Sequence, residues 1–273
     1  LDPVWAANEP EITIAHDIKI TFGGLVVIND IVSIHNTGPI PLDHFQIGFP
    51  NTFSDHFEVL TAQSIDSNPL SVDHIGLDSD TNIYWFDILF PQNVDVGAEY
   101  DFVVTYAFSQ LITYNSTNLE NRVIFPEYPA VTSNVTSCES RLHFADGTAF
   151  ANSSWGNITS TIQSPLPTNY NLTGWATYTG SQRVIKCPFA IRNIVLDSWG
   201  NSLFYDTYHI RNIGRELLYF FDFPLPSEAN DVIAYDNFGS LSVFVSELGE
   251  STAARVTFRY PLRGDEGTTP IRD

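Results

Sequence analysis

Residues 11–40 read EITIAHDIKITFGGLVVINDIVSIHNTGPI, and this stretch decides the fold. Isoleucines from Ile12 to Ile20 alternate with polar or small residues, a period of two that is typical of a half-buried β-strand. Gly23-Gly24 then predicts a turn, and the apolar residues from Val26 to Ile34 return along one face. The segment Asn36-Thr37-Gly38-Pro39 ends this second strand, because Gly and Pro interrupt regular structure. The stretch therefore predicts a β-hairpin with one buried face.

The same pattern continues along the chain. Aromatic strands are predicted around Phe45–Phe49, Ile83–Phe90 and Phe102–Phe108, and no segment has helical periodicity over more than two turns. Short strands with turn signals about every 8–12 residues are typical of β-sandwiches. The length of 273 residues suits two such domains. We therefore predict an all-β protein with two tandem β-sandwich domains.

An internal repeat supports the two-domain interpretation. Five residues of the first hairpin recur 176 positions later, and both copies continue into an aromatic strand that ends in Phe-Pro. The repeated residues are Gly24, Asp30, Ile34, Asn36 and Gly38, which recur as Gly200, Asp206, Ile210, Asn212 and Gly214. Asn can bond its own backbone in such a turn and Gly can adopt positive φ.

The repeat also predicts the domain boundaries. The first domain is expected to cover residues 1–163 and the second residues 164–273, with the boundary inside the polar stretch 156–171. The second copy is shorter, because nothing after it matches the strong strand at 102–108. Either the chain is truncated there or that strand is missing or replaced.

Composition limits the function. The formal net charge of −20 argues against binding to nucleic acid or to anionic lipid headgroups. No apolar run approaches the roughly 18 residues that span a bilayer. The chain begins at Leu1 and contains no Met, so we expect that a start codon and any signal peptide have been removed.

Five N-x-S/T sequons indicate an external, glycosylated surface. They cluster in one polar region, at Asn115, Asn134, Asn152, Asn157 and Asn171. The two cysteines, Cys138 and Cys187, are either a disulfide pair, as extracytoplasmic chains often have, or two free buried thiols.

No catalytic, cofactor or metal site is predicted. Residues 78–82 (DSDTN) resemble the start of a calcium loop, but Ile83 stands where such a loop needs Gly, so a solvated hairpin loop is favoured. The seven histidines are scattered, and neither an HExxH nor a GxSxG motif is present. Trp199 and Trp175 could stack on sugars; for Trp199 we expect a core position instead.

Several of these residues resemble the ribophorin I family, the non-catalytic subunits of the oligosaccharyltransferase, and its archaeal relatives. The family carries a Trp-Gly-Asn strand turn and an R-x-P-L-x-G-G element in the same order as DSWGN at 197–201 and FRYPLRG at 258–264. The strand passage at 90–106 and Tyr128-Pro129 also resemble family segments. The likeness covers about residues 10–264; after Gly264 this chain reads DEGTT, where the family has Gly-Trp-Lys-Thr.

The resemblance implies a scaffold or acceptor-presenting subunit for protein N-glycosylation that is not itself an enzyme. Its partners would be the catalytic oligosaccharyltransferase subunit, other membrane subunits and acceptor polypeptides. It would be extracytoplasmic and anchored by a C-terminal membrane helix that is absent from this chain. An archaeal protein, which the low lysine content favours, would lie at the cell exterior, and a eukaryotic one in the endoplasmic reticulum lumen. The alternative is an extracellular carbohydrate-binding or adhesive module, and a hydrolase with an unrecognised acidic site ranks last.

Overall fold

The structure is a computed structural model. It describes residues 9–21, 23–115, 118–145, 147–162, 166–180, 185–213, 217–226, 229–248 and 251–264. Most of these residues, 69%, lie in β-strands, and the only helix among them is a short 3-10 helix, Asn51–His56. The prediction of an all-β protein is confirmed. The chain divides into two compact units, Leu1–Gly180 and Ser181–Asp273.

The first unit contains fourteen strands among its described residues. They are β1 (Glu11–Ile20), β2 (Val26–His35), β3 (Leu42–Pro50), β4 (Phe57–Ser64), β5 (Pro69–Asp78), β6 (Ile83–Val94), β7 (Glu99–Phe108), β8 (Ile112–Asn115), β9 (Glu120–Pro126), β10 (Ala130–Val131), β11 (Ser137–Phe144), β12 (Thr148–Ser153), β13 (Thr159–Ile162) and β14 (Thr173–Gly180).

Strands β1 and β2 form the predicted hairpin. They pair antiparallel from Glu11 opposite His35 to Ile20 opposite Val26. Even-numbered side chains of both strands are buried, and odd-numbered ones are mostly partly or fully exposed. Because successive side chains of a strand point to opposite faces, the alternation in sequence places one continuous apolar face in the core.

The first unit packs as two layers. The larger sheet has the order β10-β3-β6-β5-β4-β7-β2-β1-β11-β13, and β5 joins its two halves by pairing with both β6 and β4. Aromatic side chains of β3 meet those of β7: Phe45 contacts Phe102 at a ring-centroid distance of 5.5 Å, and Phe49 contacts Phe108 at 5.0 Å, both edge to face. These contacts between β3 and β7 show a sandwich-like core. Rings in this edge-to-face arrangement add to the free energy gained by burial.

A second sheet of the first unit has the order β12-β14-β9-β8. Its strand β14 pairs with β9 from Thr173 opposite Pro126 to Tyr178 opposite Asn121. For this reason the contacts place the end of the first unit at Gly180, whereas the sequence analysis put the domain boundary after residue 163.

Asn36 closes the corner that follows β2. Its side-chain amide donates to the carbonyl oxygens of Ile40 (2.9 Å) and Val94 (2.8 Å), and its side-chain oxygen accepts from the Gly38 N–H (3.1 Å). The residue is fully buried. Its side chain therefore satisfies backbone groups in the turn after β2 and at the end of β6.

The second unit has six strands among its described residues. They are β15 (Ile185–Leu196), β16 (Ser202–Asn212), β17 (Leu218–Leu225), β18 (Ala234–Asp236), β19 (Gly239–Leu248) and β20 (Ser251–Leu262). Strands β15 and β16 form a two-stranded sheet, and the others form a sheet of order β17-β20-β19-β18. No strand follows β20 within the part of the chain that the structure describes.

From Phe189 opposite His209 to Leu196 opposite Ser202, the hairpin of β15 and β16 has the same register as that of β1 and β2; a register shift between Lys186 and Phe189 ends the match. Leu196 lies opposite Ser202, as Ile20 lies opposite Val26, and each of these positions is shifted by 176. The turns carry glycines with positive φ, 85° at Gly24 and 87° at Gly200.

The corner after β16 also resembles the corner after β2. Asn212 donates from its side-chain amide to the carbonyl oxygen of Leu262 (2.9 Å), the last residue of β20, as Asn36 does to Val94, the last residue of β6. Gly214, the remaining member of the predicted repeat, lies outside the described residues.

We predict that Asn36→Ala lowers the free energy of unfolding by about 2–3 kcal/mol, because it removes three hydrogen bonds and leaves buried carbonyl groups unpaired. Urea denaturation followed by tryptophan fluorescence measures this change. Asn68→Ala is the control, since Asn68 is exposed in the turn between β4 and β5 and its loss should cost less than about 0.5 kcal/mol. Equal effects of the two variants would contradict the assigned role.

Candidate functional site

The first unit carries a histidine–aspartate pair in its core. His16 Nδ1 lies 2.5 Å from Asp30 Oδ1, and both side chains are buried. The second ring nitrogen, Nε2, lies 3.2 Å from the carbonyl oxygen of Pro126. A carbonyl oxygen can only accept, so Nε2 carries a proton and donates it. The pair thus links β1, β2 and the end of β9.

A small cavity adjoins this pair. Its volume is about 10 Å³, and its lining includes Asp30 and Tyr106. Burial raises the pKa of the Tyr106 phenol well above its ordinary value, and the Asp30 carboxylate raises it further. The phenol is therefore neutral at physiological pH. A cavity of this size holds at most about one water molecule, so a substrate has no room beside the pair in this structure.

In the sequence, His16 is one of seven scattered histidines, and no role was predicted for it. A signal was present, because His16 and Asp30 occupy even positions in strands whose other even positions are apolar. Two polar residues that face each other in an apolar face must pair, since an unpaired buried charge is costly. The hairpin register puts His16 directly opposite Asp30.

The second unit has an ion pair at the corresponding positions. Arg192 and Asp206 stand 176 residues after His16 and Asp30, and the guanidinium donates two hydrogen bonds to the carboxylate at 2.7 and 2.6 Å. Hydrogen bonding from Arg192 lowers the pKa of Asp206. The Tyr208 hydroxyl also donates to this carboxylate, at 3.0 Å. Unlike the first pair, this one is partly exposed.

Apolar side chains around Arg192 and Asp206 are open to solvent. Four of them are 38–72% exposed, whereas the residues at the corresponding positions of the first unit are 0–1% exposed. We call them the open face: Ile194 (56%), Leu196 (72%), Phe204 (43%) and Tyr208 (38%), which correspond to Ile18, Ile20, Ile28 and Val32. Exposed apolar patches of this kind are typical of interaction sites.

Trp199 lies at the tip of the turn between β15 and β16, and 88% of it is exposed. The expectation of a core position was wrong. Asp197 closes the turn, because its carboxylate accepts from the backbone N–H groups of Trp199 and Asn201, both at 2.8 Å. The side chain of Asn201 donates to the same carboxylate. With the turn held in this way by Asp197, the indole points away from the sheet.

The five sequon asparagines are all exposed and all belong to the first unit. Asn115 ends β8 and Asn152 lies in β12, which are the two edge strands of one sheet. Asn134 donates to the Glu9 carboxylate at 2.8 Å. Asn157 and Asn171 lie in connections on either side of β13. The structure leaves each of the five asparagines at the surface.

Glu127 fixes the segments that carry several sequons. Its carboxylate accepts from Trp155 Nε1 at 2.6 Å and from the Tyr170 hydroxyl at 2.8 Å. Burial and the hydrogen bond to Glu127 raise the pKa of Tyr170. Trp155 lies between two sequons and Tyr170 precedes a third, so one carboxylate holds the backbone around them.

Both cysteines are free thiols in the structure. Cys138 is buried in β11, and burial raises its pKa well above the ordinary value. Cys187 is exposed in β15. They belong to different compact units, and their pairing as a disulfide stays a prediction.

The acidic loop at 78–82 closes a turn through its first residue. The Asp78 carboxylate accepts from the Asp80 N–H at 2.9 Å and from the Thr81 hydroxyl at 2.8 Å. Within the described ranges, no group of three or more His, Cys, Asp or Glu side chains is placed to hold a metal ion. Among those same residues no helix is long and apolar enough to cross a membrane.

No protein-family model matches this chain, and no curated protein matches it. Solved structures do. An aminopeptidase N family protein from Idiomarina loihiensis matches with a TM-score of 0.38 and 15% identity, over 75% of this chain and 33% of that one. An M1 zinc metallopeptidase from Deinococcus radiodurans matches with a TM-score of 0.37 and 10% identity, over 77% of this chain and 49% of that one. The chain thus spans a third to a half of these structures, and likeness this low carries no inference about function.

We predict that Asp30→Ala lowers the free energy of unfolding by about 3 kcal/mol, because it leaves His16 without its buried partner. The matched control is Asp17→Ala, which breaks the exposed pair of Asp17 with His143 (3.1 Å) and should cost less than about 1 kcal/mol. Urea denaturation at neutral pH measures both. A cost for Asp30→Ala no larger than that of the control would show that the buried pair contributes nothing to stability.

We also predict that all five sequons carry glycans when the chain passes through a glycosylating secretory pathway, because each asparagine is exposed. Glycopeptide mass spectrometry measures the occupancy of each site. Replacing each Asn by Gln in turn should remove one increment of mass and leave the other four. A secreted chain without glycans would contradict this prediction.

Proposed function

We propose that this chain is a non-catalytic protein-contact module of the ribophorin I type. It serves an oligosaccharyltransferase as a scaffold or as the subunit that presents acceptor polypeptides. It acts outside the cytoplasm and is held to the membrane by a helix C-terminal to Asp273. The resemblance of the blocks at 197–201 and 258–264 supports the family, and the five exposed sequons support the compartment.

The open face is the observation that carries this proposal. Its side chains occupy positions that are core in the first unit, yet here they contact solvent. Fully burying a side chain of this size contributes about 1.5–3 kcal/mol, so covering four of them with another protein gives a substantial driving force.

The two units are proposed to be copies of one ancestral β unit. Equal hairpin registers, the turn glycines and the two corner asparagines that bond to the last residues of β6 and β20 support this duplication. In this view the first unit kept its full core, while the second exposes part of the same face for binding.

We predict that the full-length protein, tagged in its native host, co-purifies with the catalytic oligosaccharyltransferase subunit in mild detergent. The double variant Ile194→Ser/Leu196→Ser should reduce the recovery of that subunit about tenfold, because it removes apolar area from the contact. Quantitative mass spectrometry of the eluate measures the recovery.

The matched control is Ile75→Ser/Leu77→Ser, which alters two equally exposed apolar side chains on β5 of the first unit. This control should leave the recovery unchanged. Purification of the catalytic enzyme free of this protein under the same conditions would refute the proposal.

Trp199 favours one second candidate, a carbohydrate-binding or adhesive module. An exposed indole on a turn held by hydrogen bonds has the geometry of a sugar-stacking platform. Binding of the isolated chain to a glycan array, lost in Trp199→Ala and retained in Phe238→Ala, would favour this alternative, since Phe238 is equally exposed in a different turn.

A further inference from the structure

We propose that the free edge of β16 accepts an extended strand from a partner polypeptide, which pairs antiparallel to β16 in the position that β7 occupies beside β2. This inference rests on the proposed protein-contact function and specifies how the contact is made. In the first unit β2 lies between β1 and β7. In the second, β16 pairs with β15 alone among the described residues.

The backbone of β16 is oriented for such pairing. The Asp197 N–H donates to the Asn201 carbonyl oxygen at 3.0 Å, which fixes the hydrogen-bonded pairs of this hairpin, as Thr21 and Leu25 do in the first. Bonded and non-bonded pairs alternate along an antiparallel ladder. Odd-numbered residues of β16 therefore bond to β15, and even-numbered residues direct their N–H and C=O groups to the free edge.

The side chains of the same even-numbered residues include Phe204 and Tyr208 of the open face. In the first unit the even-numbered side chains of β2 are buried, and the even-numbered side chains of the neighbouring strand β7 are buried beside them. They are Phe102, Val104, Tyr106 and Phe108. A strand added to β16 would place its own alternate side chains beside Phe204 and Tyr208. The fitting occupant therefore has a large apolar residue at every second position.

Charge further defines the occupant. Strands β15 and β16 contain Lys186, Arg192 and Arg211 but only one acidic residue, in a chain whose net charge is −20. Glu99 and Asp101 of β7 lie opposite His35 and Ser33, and the positions 176 residues later are Arg211 and His209. A strand that begins with acidic residues would meet basic groups there.

Residues 265–273 do not supply this pattern. They lie outside the described residues, and their sequence, DEGTTPIRD, contains Ile271 as its one large apolar side chain. The occupant that we propose is a strand of another polypeptide, with acidic residues first and alternating apolar residues after them. Strand addition of this kind takes its affinity from backbone hydrogen bonds and its specificity from alternate side chains.

A peptide with the sequence of β7, EYDFVVTYAF (residues 99–108), is the probe, because its side chains already fit the equivalent position in the first unit. Fluorescence anisotropy should detect saturable binding of the labelled peptide to the purified 273-residue chain. Hydrogen–deuterium exchange should show that the peptide slows exchange at the amides of Phe204, Asp206 and Tyr208.

Two N-methylated peptides provide a matched control. N-methylation at the positions of Val104 and Tyr106 blocks the amides that would face β16 and should weaken binding at least about tenfold. N-methylation at Val103 and Thr105 blocks the amides that face away and should change the affinity less than about twofold. The variant Phe204→Lys, with its fold checked by circular dichroism, should also lose the peptide.

Three results would overturn the proposal. One is equal affinity of the two N-methylated peptides, and another is slowed exchange elsewhere than in β16. The third is a dimer of the chain in which hydrogen–deuterium exchange along β16 is slow without peptide. That result would show that a second copy of the chain occupies the edge of β16. Failure of the peptide test with continued co-purification of the catalytic subunit would reject the strand addition and leave the proposed function standing.

Discussion

The first unit depends on burying a single face of the hairpin made by β1 and β2. Every second side chain of these strands points to that face, and ten ladder positions hold them in one register. A shift of β1 by one residue would turn its isoleucines to solvent and bring Asp17 and Lys19 to the core. The apolar pattern therefore fixes the pairing, and the pairing fixes where β7, β11 and the opposite layer can pack.

The polar side chains on this face are paired with one another and with backbone. His16 and Asp30 face each other across the ladder, and the backbone at Pro126 accepts the remaining ring proton, while the second carboxylate oxygen of Asp30 has no hydrogen-bond partner among the described residues. Asn36 joins the turn after β2 to the end of β6 by donating to the carbonyl oxygens of Ile40 and Val94. Such groups tie strands that are distant in sequence, because each buried polar atom needs a partner from another element.

The second unit contains a similar hairpin, β15 and β16, with no third strand beside it among the described residues. Its register, its turn glycine and its corner asparagine follow the first unit, and an arginine–aspartate pair replaces the histidine–aspartate pair. Arginine suits a half-exposed position, since its guanidinium stays charged and bonds the carboxylate with two donors. The apolar side chains beside this pair are exposed, whereas those at the corresponding positions of the first unit are buried. The proposed contact role depends on this difference in exposure.

The sequence by itself determined the β class, the hairpin and its buried face, the turns at Gly24 and Gly200, and the exposure of a polar, sequon-bearing region, because these follow from local alternation and turn chemistry. Only the tertiary structure decided that the Pro126 backbone accepts the His16 ring proton, that Glu127 holds Trp155 and Tyr170, and that Trp199 is exposed. It also placed β14 in the first unit, through pairing with β9. Such contacts join residues far apart in the chain, and neither periodicity nor spacing specifies which distant elements become neighbours.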